Sequence, residues 1–353
     1  MASEFVALRV ALVERLTDDS VAITFDVPAD LGERFAFRPG QALTVRKVVE
    51  GSDERRSYSI CAPLGAAPRI GVREVDAGLI SGWLVRQARV GDTIEVLPPS
   101  GLFAVGPQQT GGRHVLVAAG SGITPMMSIA STVLRNPSSD VVLIYANRRS
   151  DTVMFADELA ELKDRHPARF QIVHVLSRES RESDLLSGRL DAERFAALVD
   201  GFVDIDAVDH WWLCGPYPMV ETVRGVLVER GVDVARVHRE LFYVEDVPPE
   251  LAEHVDAPPS GASAEVTVIL DGRATTLTLP RDEPVLDAAQ RVRADLPFAC
   301  KGGVCGTCRA KVTAGSVRMR RNFALEDDEL ADGFVLTCQS LPITDAVTVD
   351  FDT

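Results

Sequence analysis

Short apolar runs rich in β-branched residues, broken by glycine and proline, occupy the first hundred positions of the chain. These runs predict six strands, at 6–13, 21–27, 42–48, 56–61, 70–75 and 93–97. One helical stretch, 80–88, lies among them. Regularly spaced short strands of this kind are typical of a closed antiparallel barrel.

From position 114 the pattern changes to apolar strands that alternate with helices. The predicted strands are 115–119, 141–146, 172–176 and 211–214, and the predicted helices are 125–134, 155–165 and 219–230. Fully apolar strands that alternate with helices favour a parallel sheet with helices on both faces.

A segment rich in proline and acidic residues follows and has no periodicity, which predicts a linker. Beyond it, two apolar runs flank Asp271-Gly272, a strong β-hairpin signal. We therefore predict a multidomain chain with a barrel at 1–107, an α/β domain at 112–245, a linker at 246–263 and a small domain at 264–353.

The composition is that of a globular protein of 353 residues, 46% hydrophobic and 25% charged, with a formal net charge of −15. That charge disfavours nucleic acids and anionic membrane surfaces as partners. No apolar run reaches a membrane-spanning length, and the N-terminus lacks the pattern of a signal peptide. The acidic run at 326–329 predicts a solvated helix start, with a docking patch for a basic partner as the alternative.

Four of the six cysteines share one spacing pattern. Cys300, Cys305 and Cys308 follow C-x₄-C-x₂-C, and Cys338 lies further along the chain. This is the ligand spacing of a plant-type [2Fe–2S] ferredoxin, whereas a zinc site more often shows two C-x₂-C pairs. Glycines beside the cysteines allow the backbone to wrap a cluster and aim N–H groups at its sulfurs. Because thiolate ligands need a reducing compartment, we expect a cytoplasmic protein.

Arg56-Ser-Tyr58-Ser59 ends a predicted barrel strand and carries side chains suited to a flavin. An aromatic face covers a flat ring, a guanidinium binds pyrophosphate, and a hydroxyl can donate where a hydride arrives. The tetrapeptide resembles the R-x-Y-S element of the ferredoxin–NADP⁺ reductase superfamily. That resemblance implies that Arg56 meets a flavin phosphate, Tyr58 packs on the isoalloxazine and Ser59 reaches its N5. An edge strand with an exposed arginine is the alternative.

Ala77-Gly78-Leu-Ile-Ser81 resembles the G-G-x-x-S phosphate loop of the same superfamily, with Ala77 in place of the first glycine. The resemblance implies that Gly78 and Ser81 hold the flavin pyrophosphate at a helix N-terminus. A simple helix cap at Ser81 is the alternative.

Gly120-Ser-Gly122-Ile-Thr124-Pro125 follows a predicted strand and opens a helix. Pro125 stands where a dinucleotide fingerprint has its third glycine. We expect Thr124 to cap the helix and Pro125 to take its first position. The G-x-G-x-T-P form resembles the nicotinamide-binding loop of the superfamily.

Cys214-Gly215-Pro216 ends a later strand of this sheet, where open α/β sheets bind ligands. In the superfamily this tripeptide lies beside the nicotinamide, and the cysteine touches its reactive carbon region. A buried cysteine before a turn is the alternative. The resemblance also places Glu240 near the nicotinamide and Phe242 near the flavin, with ordinary core as the alternative for Phe242. Ser59, Cys214 and Glu240 are thus the candidate catalytic residues.

Ser177-Arg178-Glu179 resembles the segment that binds the 2′-phosphate in NADP-dependent members, and Arg148 adds positive charge on the neighbouring strand. An NAD enzyme more often offers a carboxylate to the 2′-hydroxyl, so NADPH is favoured over NADH. The choice of FAD over FMN rests on the resemblance. The six histidines are scattered along the chain and show no metal-ligand spacing.

These cofactors imply one order of electron flow. NADPH gives up a hydride, a [2Fe–2S] cluster accepts one electron, and FAD converts between the two. A flavin barrel, a nicotinamide domain and a C-terminal β-grasp ferredoxin, in this order, resemble the reductase components of multicomponent oxygenases. Further segments carry a resemblance over nearly the whole chain, at 145–149, 154–159, 175–179, 186–191, 240–246, 294–305 and 336–342. They resemble reductase subunits of ring-1,2-phenylacetyl-CoA epoxidase, which implies a separate di-iron oxygenase as partner. Reductases of 3-ketosteroid 9α-hydroxylase and a flavin/iron–sulfur redox sensor are the alternatives.

Overall fold

A computed structural model describes residues 5–49, 51–242, 263–293 and 295–353 of the chain. The chain divides into two compact units. The larger unit comprises the described residues of Val6–Glu54 and Tyr58–Tyr243, and the smaller those of Met1–Phe5, Arg55–Ser57 and Val244–Thr353. The predicted linker lies outside the described residues as far as position 262, so it stays a prediction, as do the predicted domain boundaries.

Six strands and a helix form the first half of the larger unit, apart from Arg55–Ser57 within β4: β1 Val6–Thr17, β2 Ser20–Asp26, β3 Ala42–Val49, β4 Ser52–Ser59, β5 Arg69–Arg73, α1 Leu79–Gln87 and β6 Thr93–Val96. The strand order is β4-β3-β6-β1-β2-β5. Ile60, directly after β4, forms an antiparallel bridge with Ile70 in β5 and so closes the sheet. The predicted barrel is confirmed, and inward-facing residues such as Phe25, Leu43 and Ile94 fill its core.

The second half of the larger unit is an α/β layer: β7 Gly112–Ala119, α2 Ile123–Val133, β8 Ser139–Asn147, α3 Ala156–Arg165, β9 Phe170–Leu176, α4 Ala192–Phe202, β10 His210–Gly215, α5 Tyr217–Glu229 and β11 Val237–Leu241. The strands are parallel, in the order β11-β10-β7-β8-β9. The strand order reverses between β7 and β10, and open sheets bind ligands at that point, outside the carboxyl ends of the strands.

The sequence analysis missed two elements of this layer. Strand β11 was not predicted because it is an edge strand whose residues are mostly half-buried. It therefore lacks the fully apolar run of its neighbours. Helix α4 has a buried face of Phe195, Leu198 and Val199, and its N-cap Asp191 accepts a hydrogen bond from the Arg194 N–H. The apolar face and the N-cap of α4 are visible in the sequence, but they follow a polar segment that has no strand pattern.

The smaller unit contains β12 Ser263–Leu270, β13 Arg273–Pro280, α6 Val285–Gln290, β14 Arg309–Ala314, β15 Val317–Met319, α7 Asp327–Ala331, β16 Phe334–Leu336, β17 Ser340–Pro342 and β18 Ala346–Asp350. Its mixed sheet has the order β13-β12-β18-β14-β16, with β12 and β18 parallel, and β15 pairs with β17. Helix α6 contributes buried residues to the core of this β-grasp unit.

Two local predictions for this unit are confirmed. Asp271 and Gly272 have φ values of 54° and 69°, as a tight hairpin turn requires, and Leu270 pairs with Arg273. The acidic run begins α7, with Glu326 as its N-cap. No helix in the described ranges is long and apolar enough to cross a membrane.

Candidate functional site

Strand β4 carries the three residues predicted to meet the flavin. Arg56 is exposed, and its Nη1 donates to the Arg55 carbonyl at 2.7 Å. Tyr58 is half-buried and packs against the barrel core, while Ser59 is 2% exposed. Partial burial leaves part of Tyr58 available to a ligand, whereas the Ser59 hydroxyl needs an internal hydrogen-bond partner.

Glu240 is that partner. The Ser59 hydroxyl donates a 3.0 Å hydrogen bond to Oε2 of Glu240, which is paired in register with Cys214 across β11 and β10. Burial raises the pKa of Glu240 to about 8, although the hydrogen bond from Ser59 acts in the opposite direction. Burial and the nearby Glu240 also raise the pKa of the Cys214 thiol well above its usual value. The three candidate catalytic residues therefore meet in one cluster whose acidic groups are neutral at pH 7.

The predicted phosphate loop is closed by its own serine. The Val75 N–H donates to Ser81 Oγ at 3.1 Å, and this hydroxyl donates to the Gly78 carbonyl at 3.3 Å. Gly78 is the N-cap of α1, and a Cβ there would lie 2.9 Å from the Val75 carbonyl. Ala77 has a φ of 56°, a left-handed conformation that favours glycine. The backbone thus keeps the shape of the glycine motif even though Ala77 departs from its sequence.

The predicted nicotinamide loop differs from expectation at the helix start. Residues Gly120–Gly122 form a 3₁₀ turn, and α2 begins at Ile123 with Gly122 as N-cap. Thr124 therefore lies inside the helix, where its Oγ1 donates to the Ser121 carbonyl at 3.0 Å. The predictions that Thr124 caps the helix and that Pro125 is its first residue were wrong, because the 3₁₀ turn moves the helix start toward the N-terminus.

This loop lies against the end of β10. A Cβ on Gly122 would overlap the Cys214 carbonyl, and a Cβ on Gly215 would lie 3.1 Å from Cβ of Ala119. Pro216 then forms the N-cap of α5. Glycine is required here because two backbones approach each other at the point where the strand order reverses.

Two predicted phosphate-binding arginines are adjacent. The Ser177 N–H donates to the Asn147 carbonyl at 2.9 Å, and the Arg178 N–H donates to the Arg148 carbonyl at 2.8 Å, which continues the pairing of β8 and β9. Both arginines are exposed, and no ion pair in the described part of the chain uses either one. Glu179 instead accepts hydrogen bonds from the Ser150 N–H and hydroxyl at 2.8 and 2.9 Å. The carboxylate therefore anchors a turn and leaves the arginines facing solvent.

Three histidines that are distant in sequence meet in the structure. The imidazole ring centroids of His114 and His210 lie 5.3 Å apart, those of His210 and His238 lie 5.5 Å apart, and His238 stacks on Trp212 at 4.1 Å. The separation of these histidines in sequence gave no sign of this contact, which arises because the register of the parallel strands aligns β7, β10 and β11. Burial lowers the pKa of His114 and of His238 to about 4, so this cluster is neutral packing.

The four predicted cluster ligands form two pairs of thiols. Cys300 hydrogen-bonds with Cys305, and Cys308 with Cys338. The hydrogen bond from Cys305, followed by several backbone N–H groups, lowers the pKa of Cys300 to about 5. Among the described residues, no group of three or more His, Cys, Asp or Glu is arranged around a single metal ion. Two thiol pairs suit two irons, each of which also binds bridging sulfides.

Hydrogen-bond donors point at the sulfurs of two of the four cysteines. The Gly302 N–H donates to Cys300 Sγ at 3.3 Å, and Gln339 Nε2 donates to Cys338 Sγ at 3.3 Å. Gln339 Nε2 also donates to the Lys301 carbonyl at 2.9 Å, so it connects the cysteine loop to the segment of Cys338. The sequence analysis missed Gln339, whose only local signal is its position directly after Cys338. The donor set and its N–H groups fit a [2Fe–2S] cluster.

Comparison with known proteins agrees with both units. The family model of the oxidoreductase NAD-binding domain matches residues 116–225, and that of the 2Fe-2S iron-sulfur cluster binding domain matches residues 268–342. A component protein of the 1,2-phenylacetyl-CoA epoxidase of Escherichia coli (strain K12) is 43% identical over 352 residues, which covers 99% of this chain and 98% of that protein. The chain belongs to the oxygenase reductase family. As such, this reductase transfers electrons from NAD(P)H through FAD to a [2Fe–2S] cluster.

The two matched domains and the relative of 43% identity also fit the ferredoxin–NADP⁺ reductase superfamily, and two further comparisons agree with the family. The ferredoxin reductase component of the 3-ketosteroid-9-alpha-monooxygenase of Rhodococcus rhodochrous is 34% identical over 362 residues, covering 99% of this chain and 97% of that protein. The solved structure of phthalate dioxygenase reductase shares the fold, with a TM-score of 0.61 and 24% identity over 98% of each chain. The predicted fold class and activity are confirmed, and so are FAD, a [2Fe–2S] cluster and NAD(P)H as cofactors.

Proposed function

We propose that this reductase passes electrons from NADPH to a di-iron oxygenase subunit that epoxidises the aromatic ring of phenylacetyl-CoA. The observation that carries the proposal is the 43% identity to the Escherichia coli epoxidase component over 99% of the chain. A steroid hydroxylase reductase is the second candidate, since such a reductase is 34% identical over the same share of the chain.

On the flavin side, we assign Tyr58 to the isoalloxazine and Arg56 to a flavin phosphate. Gly78 and Ser81 hold the pyrophosphate, a role supported by the closed loop at the N-terminus of α1. Bound FAD supplies the conversion from two-electron to one-electron transfer.

Ser59, Cys214 and Glu240 form the wall of the hydride-transfer site. The 3.0 Å hydrogen bond orients the Ser59 hydroxyl, and the raised pKa of Glu240 keeps a proton on its carboxyl at neutral pH. The buried Cys214 thiol stays neutral, so it fills space without adding a charge beside the nicotinamide. A neutral, buried wall of this kind would exclude water from the place where the nicotinamide meets the flavin.

On the nucleotide side, the nicotinamide loop consists of Gly120, Gly122, Thr124 and Pro125. It lies beside Gly215 and Pro216. Arg148 and Arg178, with the Ser177 hydroxyl, bind the 2′-phosphate of NADPH. Their exposure at adjacent strand ends supports this role, because a free guanidinium pair suits a dianionic phosphate. Phe242 is half-buried against the hydrophobic core of the α/β layer, and we assign it to the flavin edge.

The [2Fe–2S] cluster is the last cofactor on the electron path. Its ligands are Cys300, Cys305, Cys308 and Cys338. The loop around them is partly exposed, as an electron exit to another protein requires. We also assign the domain boundaries 1–107, 112–245, 246–263 and 264–353. Because all six cysteines are free thiols and four of them serve as ligands, we place the protein in the cytoplasm.

The first test is steady-state reduction of cytochrome c by the purified holoprotein with NADPH and with NADH. We expect rapid turnover that prefers NADPH. A redox sensor would show little turnover with either nucleotide, and that result would exclude the enzyme.

The second test is reconstitution with the catalytic components of a phenylacetyl-CoA epoxidase and, in parallel, with a Rieske-type steroid oxygenase. We expect nucleotide consumption coupled to epoxide formation from phenylacetyl-CoA. Product from the steroid oxygenase alone would favour the second candidate. A Cys305→Ser reductase serves as the control that cannot deliver electrons.

A further inference from the structure

One face of strand β5 connects the barrel to the α/β layer. Arg69, Gly71 and Arg73 alternate along this strand, so their side-chain positions point to the same face. Both Arg69 Nη atoms donate to the Glu158 carboxylate of α3, each at 2.8 Å. Arg73 donates to the Thr152 carbonyl. Two arginines thus hold the α/β layer on either side of a glycine.

Gly71 is a point of close approach between the barrel and the α/β layer. A Cβ at this position would overlap the Cγ2 methyl of Thr124 and would lie 3.0 Å from Cζ of Phe155. Gly71 has ordinary strand geometry, since it pairs with Ala22 in β2 and its φ is not positive. Glycine is therefore needed here because Thr124 and Phe155 of the α/β layer leave no space for a side chain.

The side chains that crowd Gly71 are themselves fixed. Phe155 is 2% exposed and holds a left-handed φ of 59°, an uncommon conformation for a bulky residue. Thr124 is 1% exposed, and its hydroxyl is bonded to the Ser121 carbonyl at 3.0 Å. Neither side chain can rotate away freely, because Thr124 would lose its hydrogen bond and Phe155 is buried.

Movement of Thr124 carries over to the nicotinamide loop. Thr124 follows Gly120–Gly122 directly, and Gly122 lies in tight contact with the Cys214 carbonyl at the proposed hydride-transfer site. The separation between barrel and α/β layer at Gly71 therefore sets where this loop lies relative to the flavin side.

We propose that Gly71 is a positioning residue for hydride transfer. The absence of a side chain at this position lets the nicotinamide loop approach the barrel closely enough for the reacting carbon and the flavin to meet. The inference rests on the proposed role of the loop in binding nicotinamide. Misplacement of reacting groups by about 1 Å can slow a reaction by about 100-fold.

The test compares Gly71→Ala with Gly225→Ala in the full-length holoprotein. Gly225 lies on α5, and a Cβ there meets nothing within 4 Å, so this variant is the matched control. For Gly71→Ala we expect the limiting rate of flavin reduction by NADPH, measured by stopped flow, to fall about 10- to 100-fold. The dissociation constant of NADPH should change by less than about 3-fold, because the variant leaves the contacts assigned to the 2′-phosphate in place, and FAD and cluster absorbance should be retained.

Amide hydrogen exchange gives a readout without turnover. Exchange in residues 119–126 should be faster in Gly71→Ala and unchanged in Gly225→Ala. The double variant Gly71→Ala/Thr124→Ser keeps the threonine hydroxyl and removes the methyl that the new Cβ meets. It should recover part of the rate and part of the exchange protection, because the two changes are coupled through one contact.

The inference is wrong if Gly71→Ala matches Gly225→Ala in rate and exchange, or if Thr124→Ser gives no recovery. Should Gly71→Ala lose FAD, the double variant Gly71→Ala/Phe155→Leu relieves one of the two contacts of the new Cβ and leaves the one with the Thr124 methyl. Its loop should still be displaced, so a wild-type rate in that variant would equally contradict the inference. Failure of the wild-type protein to reduce its flavin with either nucleotide would instead refute the proposed function and is seen before any variant is made.

Discussion

The Ser59 hydroxyl lies 3.0 Å from Oε2 of Glu240, a carboxyl 181 positions away in sequence. This hydrogen bond joins β4 of the barrel to β11, the edge strand of the parallel sheet. It places the proposed flavin contact beside a carboxyl whose pKa is raised to about 8. The two halves of the larger unit therefore share one polar contact at the proposed transfer site.

Replacing Glu240 with glutamine should change how stability depends on pH. The pKa of Glu240 rises from about 4.5 in the unfolded chain to about 8 in the folded protein, so the unfolded state ionises first as pH rises. Wild-type protein should therefore lose stability between about pH 4.5 and pH 8, and Glu240→Gln should lose less. Equilibrium unfolding at several pH values measures the difference. Glu193→Gln on the exposed surface of α4 is the control, and parallel curves for wild type and Glu240→Gln would contradict the assignment.

Ala77→Gly should stabilise the phosphate loop. Ala77 has a φ of 56°, where an alanine Cβ is strained and glycine is not. The strain exceeds the entropy that glycine adds to the unfolded chain, so we expect a gain of about 0.5–1 kcal/mol in the free energy of unfolding. Urea unfolding monitored by flavin fluorescence measures it.

The neighbouring glycine gives the opposite control. A Cβ on Gly78 would lie 2.9 Å from the Val75 carbonyl, so Gly78→Ala should destabilise the loop and weaken FAD binding. Equal effects of the two substitutions would show that the loop conformation is not the one described.

Arg178→Ala should raise KM for NADPH by about 10-fold or more and leave KM for NADH nearly unchanged. A hydrogen bond to a charged group contributes about 1.5–3 kcal/mol, and only NADPH carries the 2′-phosphate that accepts it. Steady-state cytochrome c reduction with each nucleotide measures the preference. Arg165→Ala, at the exposed end of α3, is the control and should change neither KM. If Arg178→Ala keeps the wild-type preference for NADPH, Arg178 does not bind the 2′-phosphate.

Cys305→Ser should abolish the visible absorption of the cluster and cytochrome c reduction while NADPH still reduces the flavin. The cysteine lies in the smaller unit, whereas the residues assigned to flavin reduction lie mainly in the larger one. Cys61→Ser is the matched control, because this buried thiol donates to the Arg69 carbonyl at 3.1 Å, far from the thiol pairs in sequence. Loss of flavin reduction in Cys305→Ser would contradict the assignment of separate sites.

The domains and the cluster of this reductase could be predicted from local patterns in its amino-acid sequence. Cysteine spacing indicated the cluster because C-x₄-C-x₂-C ligands come from one short loop, whose local geometry the spacing dictates. Strand periodicity and the change to alternating helices indicated a barrel followed by a parallel sheet, because burial on one face or two leaves different patterns. Short motifs such as Arg56-Ser-Tyr58-Ser59 indicated the flavin through their resemblance to elements of the superfamily.

The contacts between residues that are distant in sequence became evident from the folded structure. The contact of Ser59 with Glu240, the cluster of His114, His210 and His238, and the crowding of Gly71 by Thr124 all join segments far apart in the chain. Periodicity reports which face of a strand is buried, but it carries no information on strand order or on the register between parallel strands. Those are set by packing between elements, so a glycine that looks like an ordinary strand residue can be a point of close approach between two layers.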